Sequence, residues 1–455
     1  MWIVLSLCAA YFAYCIGTNP PGPLTTPDSL HYLNVSPMYP LGYPFFLKLV
    51  GARGAIVAQP LIFSAVLAWF GTEIVRLTRS TALAVVIVAG SMLLPQIREF
   101  HASILSESLF LSLLIAFLAV SLRFAYRPGW YLMVCAAIAA GFSASVRRTG
   151  YALVPVMLFM VLAQRPRLPR SQPALFFIAA LAPFLLIIGI EQVASPVVHR
   201  GHPSSLMGRH LFAKAALIDA PEAPGADEPI RAALEQQLQI DFAPIRALLA
   251  SAPPDLRAVL SLYYETCLQY GCADRSRELM PGVNEADQTQ TLGAVGLARI
   301  RRAPAAFARL LAMNYMSLWT TDRLHHPDRA DRLTAFIAAH RPLPFERQAL
   351  SLEPDQVFEL RPSARIRYVQ IATTAVALWT GALAVAGLIA MVIQRPIAPR
   401  LAAAFTAALA AHGCLLFTAT LAAGFSRFTL GLWPAIVTAA CFGLWAVLPS
   451  RVTAR

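Results

Sequence analysis

Negative charge and lysine are both scarce in this 455-residue chain, which has 24 Asp and Glu residues and, among its 37 basic residues, only two lysines, Lys48 and Lys214. Charged residues of both signs reach only 13% while hydrophobic ones make up 57%, and the mean hydropathy is +0.59. A water-soluble domain of this size could not bury so many apolar side chains, so a wholly soluble protein is excluded and lipid is expected to cover much of the surface. Also missing are a glycine-rich phosphate loop, a dinucleotide fingerprint and an HExxH motif, which leaves nucleotide hydrolysis and zinc proteolysis without support. No repeat of fixed period and no low-complexity tract interrupts the chain. Of the seven cysteines, five lie in apolar runs as small packing residues. The other two, Cys267 and Cys272, lie in a polar segment where an oxidising compartment would permit a disulfide.

The net charge of +13 would suggest a nucleic-acid partner if it sat on one soluble face, but its distribution removes that reading. From Ser195 to Arg365 the chain holds 19 acidic and 19 basic residues and is neutral. The remainder carries 18 basic residues against five acids: Asp28, Glu73, Glu99, Glu107 and Glu191. Apolar runs of the length needed to cross a bilayer are expected at roughly 2–17, 55–75, 81–97, 104–122, 129–146, 150–164, 173–193, 368–393, 401–423 and 428–448. The fold class is therefore all-α: a polytopic membrane protein of about ten transmembrane helices.

With a cytoplasmic amino terminus, the inside loops hold Arg76 and Arg79, Arg123 and Arg127, Arg165, Arg167 and Arg170, Arg395 and Arg400, and Arg451 and Arg455. Every inside loop is then basic, as the positive-inside rule requires, and residues 195–365 fall outside the cytoplasm. The first apolar run lacks a basic leader and a small-residue cleavage site, so it is read as a helix rather than a signal peptide. Three regions follow: a membrane block at 1–194, a mostly helical extracytoplasmic segment at 195–365 and a three-helix block at 366–455. The first block includes a long outer loop at 18–54, rich in Pro and Gly, whose Tyr39, Tyr43, Phe45 and Phe46 suit a bilayer interface. In the soluble segment, helical spacing appears in SLMGRHLFAKAALIDA, IRAALEQQL, LRAVLSLYYETCLQY and AAFARLLAMNYMSLW, and no strand pattern competes.

Charges that break the orientation rule point to chemistry. Lys48, Arg53, Arg98, Arg147, Arg148, Arg367 and Arg427 map to the outer face, as do the acids Asp28, Glu99 and Glu107. Guanidinium groups near helix ends can hold a lipid phosphate bidentately, and a nearby carboxylate can take a proton from a hydroxyl as that phosphate departs. Each residue also has a plainer reading. The arginines can snorkel to ordinary headgroups, Asp28 can cap a short helix in PDSLHYL, and Glu107 can serve the dipole of the helix it begins. Glu73 is expected to pair with Arg76 one turn away, and Glu191 is a boundary residue. His31 lies three residues after Asp28 and His101 near Glu99, spacings compatible with a shared metal but not specific for one; HHPD at 325–328 reads as a polar loop.

PDSLHYL, MYPLGYPFFLKLVG, HASILSESLFLSLLIAF, VRRTGYALVPVMLF and SRFTLGLWPAI together resemble the C-type glycosyltransferase superfamily of membrane enzymes over the whole membrane part. The resemblance implies a polyprenyl-phosphate-linked sugar as donor and an essential acid in the first outer loop, here Asp28. It implies direct displacement at the anomeric carbon by the hydroxyl of a lipid, glycan or protein acceptor. Arg147, Arg148 and Arg427 would hold the phosphate, Glu99 or Glu107 would orient the acceptor or bind a cation, and His31 and Tyr43 would line the substrate site. Many members carry a second acid beside the first; Ser29 stands there in this chain, which leaves a divalent metal an open question. The expected location is a bacterial inner membrane, with both termini cytoplasmic and the site periplasmic. An envelope polysaccharide polymerase or ligase would share the helices and outer arginines without needing Asp28. A lipid flippase or transporter would place its charges nearer the bilayer midplane.

Overall fold

A computed structural model describes residues 1–37, 39–167, 173–199, 207–221, 229–253, 257–258, 260–262, 264–265, 268–269, 278–319, 366–393, 397–421 and 427–448. The apolar runs fold as helices whose ends fall where the sequence supplies caps or breakers. The amino-terminal region comprises α1 (Trp2–Thr18), α2 (Pro27–Leu33), α3 (Gly42–Thr78), α4 (Thr81–Met92), α5 (Pro95–Ala102), α6 (Ser106–Tyr126), α7 (Trp130–Val146), α8 (Leu153–Gln164) and α9 (Pro173–Val198). Next come α10 (Met207–Ala216), α11 (Pro229–Gln236), α12 (Ala243–Ser251), α13 (Glu285–Arg302) and α14 (Pro304–Leu318). The last are α15 (Ile366–Ile393), α16 (Pro399–Leu421), α17 (Arg427–Leu430) and α18 (Trp433–Val447). Among the described residues the isolated bridge between Leu24 and Ser103 is the one trace of β pairing.

Five helices are long and apolar enough to cross a membrane: Gly42–Thr78, Ser106–Tyr126, Ala174–Val198, Thr373–Ile393 and Pro399–Leu421. A sixth arises if α4 and α5, bent by 60° to each other, form one broken span. Trp2–Thr18, Trp130–Val146 and Trp433–Val447 are shorter apolar helices, so length and composition alone do not establish ten full spans. The run at 81–97 is not one straight helix, because Pro95 has no amide hydrogen to continue α4 and instead opens α5. Residues 18–54 are likewise not all loop. They contain α2 and the first turns of α3, which break at Gly51 (φ 73°, ψ 159°), a conformation that a residue with a Cβ rarely takes.

The chain divides into two compact units, Met1–Gly201 with Thr374–Cys414 and Leu430–Arg455, and His202–Thr373 with Leu415–Thr429. In the first, α6 is buried nearly all round by α3 and α7. Leu185, Leu186, Ile190, Val193 and Val197 of α9 and Leu378, Val385 and Val392 of α15 stand exposed. Rows of bare aliphatic side chains are unfavourable in water by about 25 cal/mol per Å², which is why these faces suit lipid. Glu73 of α3 lies 3.3 Å from Arg76, the pair its spacing suggested, and 3.9 Å from Arg123 of α6, a partner that spacing could not reveal.

The second unit has a core of its own, built on α10 and α13 around Phe212, Leu234, Leu238, Phe242, Ile245, Leu292 and Val295. Phe307, Leu310 and Met313 of α14 pack into the same core. Buried Arg299 donates to the carbonyls of Ala215 and Ile218, and Arg246 donates to that of Ala216, supplying donors to the open end of α10. Lys214 and Glu265 form a 2.8 Å pair with exposures of 1% and 0%, and Asn314 donates to the second carboxylate oxygen at 2.8 Å. Burial raises the Glu265 carboxyl above its ordinary range, while Lys214 draws it back. Cys267, Cys272, HHPD and the basic loop residues Arg170, Arg395, Arg451 and Arg455 lie outside the described residues.

Candidate active site

Within the first unit, the segment after α1 is stitched to the start of α6. The Leu24 amide donates to the Ala102 carbonyl at 2.9 Å, and the Ile104 amide returns a bond to the Leu24 carbonyl at 3.0 Å. Just beyond, Thr26 is the N-cap of α2, and Ser29 accepts from the Thr26 amide at 2.8 Å. The cap is thus a Thr–Ser arrangement and not Asp28, whose capping was the alternative reading of PDSLHYL. Ser29 is fully buried and also donates to the Ile104 carbonyl at 2.9 Å. The position after Asp28 is therefore occupied by a serine that ties α2 to the segment just before α6.

Asp28, in the first turn of α2, accepts a hydrogen bond from the Tyr39 hydroxyl at 2.9 Å. One turn later, on the same face, buried Tyr32 reaches the Ser106 hydroxyl at 3.0 Å. Ser106 lies 3.5 Å from both Glu107 and Arg147. Glu107 and Arg147 pair at 2.9 Å with side-chain exposures of 2% and 15%. Tyr32 is where these groups meet electrostatically: burial drives its phenol well above the ordinary value, Glu107 and Asp28 push it the same way, and Arg147 pulls it down. Two carboxylates and a guanidinium thus connect to one tyrosine through Tyr39 and Ser106.

The turn between α7 and α8 presents Arg147, because α7 stops at Val146 and a 3-10 turn runs from Arg148 to Ala152. Gly150 makes that turn possible, since a Cβ there would collide with the backbone of Ser143 and Ala144. Arg148 interacts with the charge of Glu191, and Glu191 accepts from the Leu41 amide at 3.2 Å. Glu191 is thereby a tether between α9 and the end of the first loop. Tyr43 is buried, donates to Gln59 at 3.1 Å and stacks edge-on against Tyr32 at 4.8 Å. His31 packs its ring against Tyr39 at 5.7 Å.

Glu99 is half-buried on α5, and its neighbour Arg98 donates to the Thr18 carbonyl at 2.9 Å, closing the carboxyl end of α1. His101 is buried and bonds Ser108 at 2.7 Å, and its carbonyl accepts from Gln59, the partner of Tyr43, at 3.0 Å. Arg427 opens α17 and falls in the second unit, and its side chain lies outside what the structure describes. Asp28, His31, Tyr43, Glu107 and Arg147 are therefore drawn together through Tyr32 and Tyr39, whereas Glu99 is not. Among the described residues no group of three His, Cys, Asp or Glu side chains is placed to hold a metal ion.

Tyr32, Tyr39 and Ser106 were not singled out from the sequence as site residues. The i, i+4 spacing of Asp28 and Tyr32 was the available signal for one of them. No sequence signal announces that Ser106 faces Tyr32.

Fold and site together define an all-helical membrane protein with a buried acid–guanidinium cluster where its first connecting segment meets α6. No family model matches the chain, and no curated protein does either. Two crystal structures of ArnT from Cupriavidus metallidurans are similar to it. The apo form aligns with TM-score 0.35 and 14% identity over 96% of this chain and 78% of that one. The form bound to undecaprenyl phosphate aligns with TM-score 0.32 and 12% identity over 96% and 77%. A likeness this distant assigns neither substrate nor chemistry.

Proposed function

We propose that this protein is a membrane glycosyltransferase that moves a sugar from a polyprenyl-phosphate-linked donor to an acceptor hydroxyl on the extracytoplasmic side of a bacterial inner membrane. The observation that carries this reading is that Asp28, through Tyr39, and the Glu107–Arg147 pair, through Ser106, both connect to the same residue, Tyr32. The motif resemblance to C-type enzymes supports it independently of that geometry. Asp28 takes the proton of the acceptor hydroxyl as its oxygen attacks the anomeric carbon. The carbon–oxygen bond to phosphate breaks on the opposite side, and its electron pair leaves with the polyprenyl phosphate.

Arg147 offsets the charge that builds on the departing phosphate, and Glu107 fixes the orientation of its guanidinium. Arg148 and Arg427 are the further candidates for phosphate contact, and Glu99 for the acceptor. A placed general base accounts for about 10² to 10⁴ in rate. The test is to supply membranes containing the protein with a labelled polyprenyl-phosphate sugar and follow label in acceptor together with release of free polyprenyl phosphate. Coupled appearance of both supports the reading, and release of neither from any polyprenyl-phosphate sugar contradicts it.

A further inference from the structure

Resting on that reading, we infer that Tyr39 is the positioning residue for Asp28 and that a strained turn after α2 exists to deliver it. The two side chains are eleven residues apart, and an extended chain would carry Tyr39 well away from the helix that bears Asp28. Instead the chain doubles back. The Asn34 amide bonds the Leu30 carbonyl, the Val35 amide bonds that of Tyr32, and the Ser36 amide reaches the His31 carbonyl at 2.8 Å. The last of these is the six-to-one bond of a Schellman ending, which requires a left-handed residue at its centre. That residue is ordinarily glycine; here it is Val35, with φ 51°.

A β-branched side chain is unfavourable in that conformation, so something outside the turn must hold it. The His199 imidazole, just past α9, interacts with the Val35 backbone. The Tyr39 ring in turn packs on Tyr32 at 4.7 Å and on His31 at 5.7 Å. The result is a phenol hydroxyl fixed on Asp28 Oδ1 at 2.9 Å, approached from a different stretch of chain than the one bearing the acid. A donor so placed leaves the carboxylate one orientation and keeps it ready for an incoming hydroxyl.

Tyr39→Phe removes the hydroxyl and keeps the ring, so it separates positioning from packing. Small losses of alignment at a reacting group are expected to cost roughly 10- to 100-fold in turnover. Tyr39→Phe should therefore lower kcat by about that factor while KM for the labelled polyprenyl-phosphate sugar and the thermal unfolding temperature stay those of the wild type. Tyr39→Leu, which also removes the ring, should lower the unfolding temperature as well. The inference is overturned if Tyr39→Phe turns over like the wild type, or if its loss of activity merely follows a loss of folded protein. Asp28→Asn in the same assay separates the two levels. An active Asp28→Asn enzyme removes the general-base reading itself, whereas an inactive one beside a fully active Tyr39→Phe removes only the role given to Tyr39.

Discussion

Both compact units bury an ion pair between residues distant in sequence, yet the two pairs are finished differently. Lys214–Glu265 has its second carboxylate oxygen taken by Asn314 and is exposed by no more than 1% on either side. Glu107–Arg147 keeps an arginine with 15% exposure, is flanked by the Ser106 and Tyr32 hydroxyls, and lies within electrostatic reach of Asp28. A buried pair of this kind is a weak contributor to stability, because desolvation consumes most of the attraction, so the closed pair is best understood as specifying how α10 and α14 pack on the segment that bears Glu265. The partly open pair sits where a charged group could meet the guanidinium. Burial alone therefore does not mark function; the chemistry around the pair does.

The sharpest way to break this contrast is to remove one partner from each pair. Lys214→Met should destabilise the protein by about 3 to 5 kcal/mol in thermal unfolding, since Glu265 is left buried without its counter-charge. The loss should be pH-dependent. Burial already raises the Glu265 carboxyl, and removing Lys214 raises it further, so the folded state is favoured at low pH and loses stability as pH rises through the folded value. Melts at pH 5 and pH 8 should show the Lys214→Met protein stronger at pH 5; equal melts would mean Glu265 does not carry the cost. Arg147→Met should destabilise by a similar amount, about 3 to 5 kcal/mol, and should also abolish sugar transfer. In the double variant Glu107→Gln/Arg147→Met, stability should return while transfer stays lost. Recovery of both would make the pair structural, like its counterpart.

Smaller effects sharpen the comparison by moving the frame around the open pair. Gly150→Ala should cost about 1 to 3 kcal/mol, because the added methyl has only backbone to displace, and should reduce transfer through the neighbouring Arg147. A variant as stable and active as the wild type would show that this turn does not position the guanidinium. Ser29→Ala removes the hydroxyl that joins the cap of α2 to the Ile104 carbonyl and should cost about 1 kcal/mol, with a modest fall in turnover. An unchanged melt would mean that the Leu24 bridge suffices to hold the first segment on α6.

Much of the fold was legible because it follows from composition and period. The apolar runs became helices, and Glu73–Arg76 formed as its spacing on α3 indicated. What escaped was mostly long-range or carried by short polar signals. Glu107 and Arg147 are 40 positions apart, one in the first turn of α6 and the other just past α7, a meeting that no periodicity encodes. Arg98 was read from the sequence only as an outer-face charge, and it serves the end of α1, a role visible only once Thr18 and α5 are neighbours. Helix α13 was missed because its Gln, Thr and Gly content hides its apolar stripe, although Asn284 accepting from the Asp287 amide at 3.0 Å is a start signal that EADQTQTL could have revealed. The Thr26–Ser29 cap was equally readable and was overlooked in favour of Asp28. Freed from capping, Asp28 meets Tyr39 through a valine in a left-handed turn, a conformation that sequence preference argues against.

The central claim is that the Asp28 carboxylate does chemistry rather than holding the first segment in place. It is tested most directly by purifying the Asp28→Asn protein and measuring, side by side with wild type, transfer of label from a polyprenyl-phosphate sugar and binding of polyprenyl phosphate itself. Transfer should fall by about 10² to 10⁴ while lipid binding and thermal unfolding stay unchanged. Transfer at the wild-type rate would contradict the account.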